Sequence, residues 1–414
     1  MRERSRALSA WIGRRAHERN SVIYAALIVA ALFFPTIAAN LTGDPSPMIS
    51  EAASAGVFVL LAIGLNVVVG FAGLLDLGYA AFFAIGAYTA GMLASGQLGA
   101  SPLQHEIHIP FWIVLFLAMF FAASFGALLG APTLRLRGDY LAIVTLGFGE
   151  IVPRVFRNMG FGSPLGNWTS GINGINALDQ PTLPFWFVGP WVNQAFGVVK
   201  DFEFNYDPVA YYALMVILVF ICVILVNNLQ RSRMGRAWMA VREDEVAAAA
   251  MGVNTVTTKL LAFGIGAAFS GFAGAYYGTK LSLVGPDAFS FVVSVTVLVM
   301  VVLGGMGNIP GVMVGSLLIY YILYIFLPNL PDYASNLAQT VGLGFLNQPN
   351  YQHGWPGLSA EVQLLPFLFF GVILVSIMLL RPQGLIPSRS RAEELRRRST
   401  DEQPITAVAE TTAH

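Results

Sequence analysis

The sequence predicts an all-α fold, a polytopic transmembrane helical bundle of about ten spans with cytoplasmic N- and C-termini. Hydrophobic residues make up 56% of the 414 residues and charged residues only 11%, whereas an ordinary soluble domain has about 25% charged residues. The apolar residues also come in blocks of about 20, the helical length that crosses a hydrocarbon layer of about 30 Å. Because hydrocarbon offers no partner for a free N–H or C=O, these blocks are expected to be helical.

The predicted spans follow the apolar blocks in order. They cover residues 22–39, 51–70, 74–96, 110–131, 139–157, 208–228, 259–280, 288–304, 311–327 and 363–380. The first block is longer than a signal-peptide core and no convincing cleavage site follows it, so we expect an uncleaved first span.

The remaining segments divide between the two sides of the membrane. A basic tail, 1–21, precedes the membrane domain, 22–387. Segments 158–207 and 328–362 are predicted to be external loops, and the first of these is rich in Gly, Pro, Asn and Trp. The polar tail, 388–414, is expected to be solvated, with a short amphipathic surface helix at 389–398 as the alternative.

The basic residues support this topology. With the N-terminus in the cytoplasm, most of the 23 Lys and Arg residues fall on the cytoplasmic side, as the positive-inside rule requires. They lie in the N-terminal tail, in a short loop at 132–138, in the loop 229–259 and from Arg381 onwards. An odd number of spans would place one arginine-rich tail outside, so the charge pattern favours ten.

The sequence excludes several kinds of chemistry. A P-loop needs a lysine directly after a glycine, and none of the three lysines meets this requirement: Lys200, Lys259 and Lys280. Any ATP must therefore be hydrolysed by a partner. The single Cys222 excludes an intramolecular disulfide and a Cys-based zinc site. His105 and His108 flank Glu106, but we interpret this segment as a solvated loop and expect no metal site.

The loop 229–259 has helical character. It is Ala-rich, with Val241 and Val246 at helical spacing and Gly252 as the predicted stop. Acidic residues at 243–245 give it a mixed-charge face, which suits docking in a groove of a soluble partner. An ordinary helix at the positive side of the membrane is an equal alternative.

A few polar or small residues lie within the spans. Asp76 at membrane depth costs about 3 kcal/mol on insertion scales, and is tolerated only when it faces protein or water. We expect an interfacial position for it, and a gate is the alternative. Glu150 and Arg154 are four residues apart and are expected to form an ion pair; the alternative is that both face a pathway or a docking surface. Six glycines are clustered in this part of the sequence. For most of them we expect close packing between helices, and the alternative is a break in a helix. They are Gly64, Gly70, Gly73, Gly78, Gly86 and Gly91.

The loop 229–259 resembles the EAA loop with which bacterial ABC importer permeases dock on their ATPase. The usual pattern of that loop is Glu-Ala-Ala, three further residues and then Gly. With Gly252 as the final Gly, the triplet in this sequence is Val246-Ala247-Ala248, and the acidic residue, Glu245, lies one position before it. The longer string instead resembles the version in LivM-type branched-chain amino acid permeases: Gly235-Arg236-Ala237, Arg242-Glu243, Ala247-Ala248 and Met251-Gly252.

Other blocks resemble the same family, and the similarity runs from about residue 51 to 387. They are 64–75 with 81–88, 134–140 with 142–146, 302–308 and 381–385. The chain departs from the family where Asp76 and Tyr79 replace a usual Ser and His. If that stretch faces the pathway, the ligand preference differs.

The resemblance implies a multi-pass permease subunit of an ABC importer in the inner membrane of a prokaryote, moving leucine, isoleucine or valine. It implies a second, LivH-like permease subunit, two cytoplasmic ATPase subunits and an extracytoplasmic amino-acid-binding protein as partners. The chain itself is expected to be no enzyme and to bind no cofactor, since ATP and Mg²⁺ lie on the ATPase, and to bind no nucleic acid.

Two sets of functional residues follow. The ATPase-coupling residues are Gly235, Arg236, Arg242, Glu243, Glu245, Ala247, Ala248 and Gly252. The translocation-pathway candidates are Asn66, Asp76, Tyr79, Glu150 and Arg154.

Two alternative functions remain open. The first keeps the family and changes the cargo to urea, short amides or other amino acids. The second is an ion-coupled secondary transporter, which predicts buried carboxylates on several spans and inverted repeats. A membrane enzyme is disfavoured because the spans contain no clustered His, Asp or Glu residues.

Overall fold

The computed structural model describes residues 22–40, 43–133, 139–164, 166–183, 202–204, 206–348 and 358–362, together with 365, 368, 371–372, 375 and 384–386. Both predicted tails, the basic residues Arg135 and Arg137 and most of the predicted span 363–380 lie outside these residues. The chain divides into two compact units, Met1–Leu298 and Val299–His414.

The described residues are mostly helical, as predicted. The α-helices are α1 (Val22–Asn40), α2 (Ser46–Leu65), α3 (Tyr79–Leu93), α4 (Gln97–Ala100), α5 (Phe111–Thr133), α6 (Asp139–Asn158), α7 (Pro208–Arg231), α8 (Arg233–Glu243), α9 (Glu245–Ala250), α10 (Thr255–Leu281), α11 (Phe291–Gly304), α12 (Ile309–Tyr320), α13 (Leu330–Thr340) and α14 (Leu358–Val362). Two of them continue as π-helices, α2 through Asn66–Phe71 and α12 through Tyr321–Phe326.

Within the part of the chain that the structure describes, six helices are long and apolar enough to cross a membrane: Val22–Asn40, Ser46–Phe71, Phe111–Pro132, Pro208–Arg231, Thr255–Leu281 and Ile309–Phe326. Two shorter apolar helices are α3 and α11. Helix α6 has span length but carries the charges of Glu150 and Arg154. Each of the first nine predicted spans, from 22–39 to 311–327, thus contains a helix.

Several helix ends differ from the prediction by a few residues, and two differences concern the organisation of the chain. The span expected at 74–96 begins only at Tyr79, because residues 72–78 form a non-helical break after the π-helix. The loop expected at 328–362 contains α13, which begins with a proline at an N-terminal position where the missing N–H costs nothing.

Helix α10 is the centre of the first unit. It packs against α5, α3 and α2, and α2 also packs against α7. The close approach depends on glycine: a Cβ on Gly271 would lie 2.6 Å from the carbonyl oxygen of Ala118 in α5. A Cβ on Gly86 of α3 would overlap the backbone of Gly271. The close packing predicted for Gly86 is therefore present.

Short antiparallel strands hold the loops of the first unit together. Strands β1 (Ala94–Ser95) and β2 (Ile107–His108) pair, as do β3 (Ile175–Asn176) with β6 (Leu283–Val284) and β4 (Thr182–Leu183) with β5 (Phe202–Glu203). His105, Glu106 and His108 are exposed, as predicted, although His108 belongs to β2 and not to a loop.

In the second unit, the end of α11 contacts the segment 384–386. The amides of Leu385 and Ile386 donate to the carbonyls of Leu303 at 2.7 Å and Gly304 at 3.2 Å. The side chain of Asn308 donates to the carbonyl of Ile386 at 2.9 Å. Glycines permit this contact, since a Cβ on Gly384 would lie 2.7 Å from the Cα of Gly305.

Candidate functional site

A break separates α2 from α3. The π-helix Asn66–Phe71 ends α2 with wide turns, in which the amide of Ala72 donates to the carbonyl of Val67 at 3.3 Å. The chain leaves the helix at Gly73, whose φ of +71° is a left-handed conformation that favours glycine. Such a break is tolerated in a membrane protein only where other groups satisfy the freed backbone.

Side chains from distant segments satisfy the amides on the α3 side of the break. The amide of Leu77 donates to Oγ1 of Thr145 in α6 at 3.1 Å. The amide of Ala80 donates to Oγ of Ser294 in α11 at 2.9 Å. These two contacts fix the start of α3 to α6 and α11.

Asp76 makes a local contact with the backbone just before α3. Its Oδ1 accepts the amide hydrogen of Gly78 at 2.9 Å, and the residue is only 1% exposed. Asp76 is therefore enclosed in protein, one of the two environments expected for a carboxylate at this depth, and its interfacial position stays a prediction. The hydrogen bond from Gly78 offsets part of the cost of burying this carboxylate.

A small cavity lies beside Asp76. It has a volume of about 20 Å³, which suffices for one water molecule. Among the described residues, Oδ2 of Asp76 has no hydrogen-bond partner. The lining is otherwise mostly apolar: Phe82, Leu129, Val144, Thr145, Phe148 and Phe263.

Two further pathway candidates lie within the first unit. Asn66 opens the π-helix and is fully buried. Tyr79 is 1% exposed, and its hydroxyl donates to the carbonyl of Gly266 in α10 at 3.1 Å. The tyrosine also occupies the space above Gly64, where a Cβ would overlap its hydroxyl. Tyr79 therefore packs the start of α3 against α2 and α10.

The segment expected to dock on a partner, residues 233–252 and called the docking segment below, contains two helices where a single one was expected. Asp244 interrupts it in an extended conformation, with φ −155° and ψ 109°. Its carboxylate accepts the amide hydrogens of Val246 at 2.9 Å and Ala247 at 3.0 Å, so it is the N-cap of α9. The predicted stop is present, since Gly252 follows α9 with a φ of +87°.

Helix α8 is capped at its start and anchored through its middle. Ser232 caps its start, where Oγ accepts the amide hydrogen of Gly235 at 3.2 Å. Trp238 is fully buried, and its Nε1 donates to the carbonyl of Thr258 in α10 at 2.7 Å. Sequence reasoning missed Trp238, although a tryptophan in a charged loop is a signal of buried anchoring.

The docking segment also presents an exposed surface. Val246 is 79% exposed and Met251 85% exposed, an unusual state for apolar side chains of their size. Glu245 lies beside them and forms an ion pair of 2.6 Å with Lys259 of α10. Of the expected coupling residues, the exposed ones are Arg236, Glu243, Glu245, Ala247 and Gly252, and the buried ones are Gly235 and Ala248.

Arg242 points away from that surface. Its Nη1 donates to the carbonyl of Gly70 in the π-helix. Its aliphatic part covers Gly73, where a Cβ would lie 2.8 Å from Cγ of the arginine. Arg242 therefore joins the docking segment to the break between α2 and α3.

Helix α6 carries the remaining pair of candidates. Arg154 and Glu150 form the expected i,i+4 ion pair, with 3.1 Å between Nη2 and Oε2. The side chains are 74% and 42% exposed. An open groove of about 410 Å³ lies beside them, lined by Ile151, Arg154, Val155, Asn158, Met159, Ser163 and Pro164. Since ionised side chains on a helix of span length avoid lipid, this face is suited to contact protein or water.

These features define a class of protein: a helical membrane protein with a broken helix, an anchored loop with an exposed apolar surface and, among the described residues, no group of three or more potential metal-ligating side chains. A family profile described as "Branched-chain amino acid transport system / permease component" matches residues 48–341. The chain belongs to this family, which confirms the predicted resemblance.

Individual relatives agree with the family match. The chain is 35% identical over 380 residues to the high-affinity branched-chain amino acid transport system permease protein LivM of Escherichia coli K12, covering 89% of this chain and 75% of that protein. LivM of Salmonella typhimurium is 36% identical over 375 residues, covering 87% and 74%. LivH of Escherichia coli K12 is 28% identical over 264 residues, covering 63% and 79%. No solved structure gave a significant match.

Proposed function

We propose that the chain is a permease subunit of an ABC importer that moves leucine, isoleucine or valine across the inner membrane of a prokaryote. The observation that carries this proposal is the 35% identity to LivM over 89% of the chain. The proposed topology has ten spans with both termini in the cytoplasm, so that the docking segment also lies in the cytoplasm. The basic residues of the tails and of the loop 229–259 support this orientation.

The proposed energy source is ATP hydrolysed by two partner ATPase subunits, because the sequence has no P-loop of its own. The exposed apolar side chains Val246 and Met251 support docking of α9 on such a partner. Covering an apolar surface of a short helix with a groove of another protein removes it from water, which stabilises the complex. The acidic residues beside it restrict which partner fits.

A second permease subunit is the proposed partner within the membrane. The similarity to LivH, 28% identity over 264 residues, supports a pairing of two related permeases. The exposed ion pair of Glu150 and Arg154 supports a pathway along α6 that the second subunit encloses. An extracytoplasmic binding protein delivers the amino acid to this pathway.

The groove along α6 is the proposed outer part of the pathway. A branched-chain amino acid presents a carboxylate, an ammonium group and an aliphatic side chain. The groove presents the guanidinium of Arg154, the neighbouring carboxylate of Glu150 and apolar walls from Ile151, Val155 and Met159. The buried residues Asn66, Asp76 and Tyr79 are proposed to shape the inner pathway through the helix break.

Uptake by the complete transporter tests this function. The two permeases, the ATPases and the binding protein are reconstituted in liposomes, and uptake of radiolabelled leucine, isoleucine and valine is compared with that of urea, a short amide and alanine. We expect uptake of the branched-chain amino acids only with ATP. Preferred uptake of another compound would change the cargo. Uptake that persists without ATPase subunits would instead identify a secondary transporter.

A further inference from the structure

We propose that Arg242 transmits movement of the ATPase-docking segment to the break between α2 and α3. The inference rests on the proposed function, since it concerns how docking on an ATPase reaches the membrane-embedded helices. It assigns Arg242 a positioning role within the permease and removes it from the surface that touches the ATPase.

The first observation is the direction of the side chain. Arg242 is the penultimate residue of α8 and is only partly exposed, whereas the neighbouring Glu243 and Asp244 are exposed. Its guanidinium donates to the carbonyl of Gly70. Carbonyls in the last turn of a helix have no partner within that helix. The docking segment thus supplies a donor that the end of the π-helix needs.

The second observation is independent of this hydrogen bond. Gly73, the residue at which the chain leaves the helix, has a φ of +71°, and the aliphatic part of Arg242 covers it. The closest approach of a Cβ on Gly73 to Arg242 would be 2.8 Å, to Cγ. Glycine is therefore required at this position both for the backbone conformation and for the space that Arg242 occupies.

The other side of the break is held by different elements. Thr145 of α6 and Ser294 of α11 accept the amide hydrogens of Leu77 and Ala80. The break therefore has one end attached to α6 and α11 and the other end attached, through Arg242, to the docking segment. A displacement of that segment relative to α6 and α11 must be absorbed between residues 72 and 78.

Helix geometry makes this segment suited to such a change. A π-helix is rare and is found mostly as a single turn within an α-helix, frequently at functional sites. Hinges in proteins are a few residues at the ends of elements that absorb changes in φ and ψ. The segment 66–78 combines a π-helix, a left-handed glycine and a non-helical stretch.

Three variants of the complete transporter test the role of Arg242. Arg242→Gln removes the charge and alters the donor, Arg242→Lys retains a charged donor, and Arg233→Gln is the matched control at the exposed start of the same helix. We measure co-purification with the ATPase, the rate of ATP hydrolysis and leucine uptake per ATP in liposomes.

For Arg242→Gln we expect unchanged co-purification and ATP hydrolysis, with at least a tenfold loss of uptake per ATP. Uptake per ATP by Arg242→Lys is expected to be at least threefold higher than that by Arg242→Gln. Arg233→Gln is expected to match the wild type. Equal losses of co-purification and uptake in Arg242→Gln would place the arginine on the docking surface and overturn the inference. A wild-type transporter without ATP-dependent uptake would remove the proposed function itself.

A distance measurement separates transmission from mere stabilisation. Spin labels are attached at Leu75→Cys in the break and Ile143→Cys in α6, in a Cys222→Ser background, because both positions are exposed. We expect the wild-type separation to change by several ångströms when the ATPase is trapped with ADP and vanadate, and to stay constant in Arg242→Gln. A wild-type separation that stays constant on trapping would overturn the inference.

Discussion

Individual residues hold this protein together through backbone contacts that need small or capping side chains. Gly271 of α10 allows α5 and α3 to approach, and Asp76 accepts the amide hydrogen of Gly78 just before α3. The sequence predicted close packing at glycines because the small side chain is visible in the sequence itself. It could not predict the burial of Asp76, since the enclosing residues Thr145 and Phe263 are distant along the chain.

Gly271→Ala is expected to destabilise the first unit. The added Cβ would lie 2.6 Å from the carbonyl oxygen of Ala118, and overpacking of this kind costs about 1–3 kcal/mol. Gly264→Ala is the matched control in the same helix, where the nearest atom is 3.6 Å away. Thermal unfolding in detergent is expected to show a lower Tm for Gly271→Ala only. Equal Tm values would mean that the helices are farther apart than the structure has them.

The pH dependence of one loop contact follows from His108. Its Nδ1 lies 2.6 Å from Oδ2 of Asp179, and the hydrogen bond and the negative charge of Asp179 raise the pKa of His108, with a smaller contribution from Glu106. The favourable contact is therefore complete below the ordinary pKa of histidine and is lost as the pH rises through the raised value.

Asp179→Asn is expected to lower the pKa of His108 towards its ordinary value of about 6.5, because the variant removes the charge. Titration of isotope-labelled histidine by NMR measures this pKa. Glu106→Gln is the control and is expected to lower it less. A larger effect of Glu106→Gln would contradict the assigned contact.

At the scale of elements, the positions of the helices could be predicted from the sequence. Of the two interruptions, at residues 72–78 and at Asp244, only the second has a local sequence signal. Residues 71–78 are mostly apolar, so the prediction started the third span too early; the break depends on Arg242, Thr145 and Ser294, which tertiary structure brings to it. The interruption at Asp244 is a different case. An aspartate followed by Glu-Val-Ala is a local N-cap signal, and it could have been read from the sequence.

Loss of the cap at Asp244 is expected to weaken docking. Asp244→Ala removes the acceptor for two amides of α9, and loss of an N-cap costs about 0.5–2 kcal/mol of helix stability. We expect several-fold less ATPase to co-purify with this variant. Asp244→Asn retains an acceptor and is expected to behave as the wild type. Full co-purification of Asp244→Ala would show that α9 does not need to be preformed.

For the whole molecule, composition and the positive-inside rule predicted a helical membrane protein, and the family match agrees. The composition could define the class because a soluble fold cannot bury so much apolar surface. The ion pairs Glu245–Lys259 and Arg157–Asp287 could not be predicted, because each joins residues from separate elements.

The proposed topology predicts which positions are accessible from each side. In a Cys222→Ser background, Ala249→Cys in the docking segment and Ala409→Cys in the C-terminal tail are expected to react with a membrane-impermeant maleimide only in inverted vesicles. Phe161→Cys, which follows α6 and is 75% exposed, is expected to react only in right-side-out vesicles. Labelling of Ala249→Cys from the outside would contradict both the topology and ATPase docking.

The π-helix at Asn66–Phe71 has a consequence for how any movement there is distributed. A π-helical turn contains more residues than an α-helical turn, so conversion to α-geometry displaces every following side chain by one register position. One position corresponds to a rotation of about 100° around the axis. A conversion of this turn would therefore move the end of α2 between two discrete registers and not through a continuous series of positions.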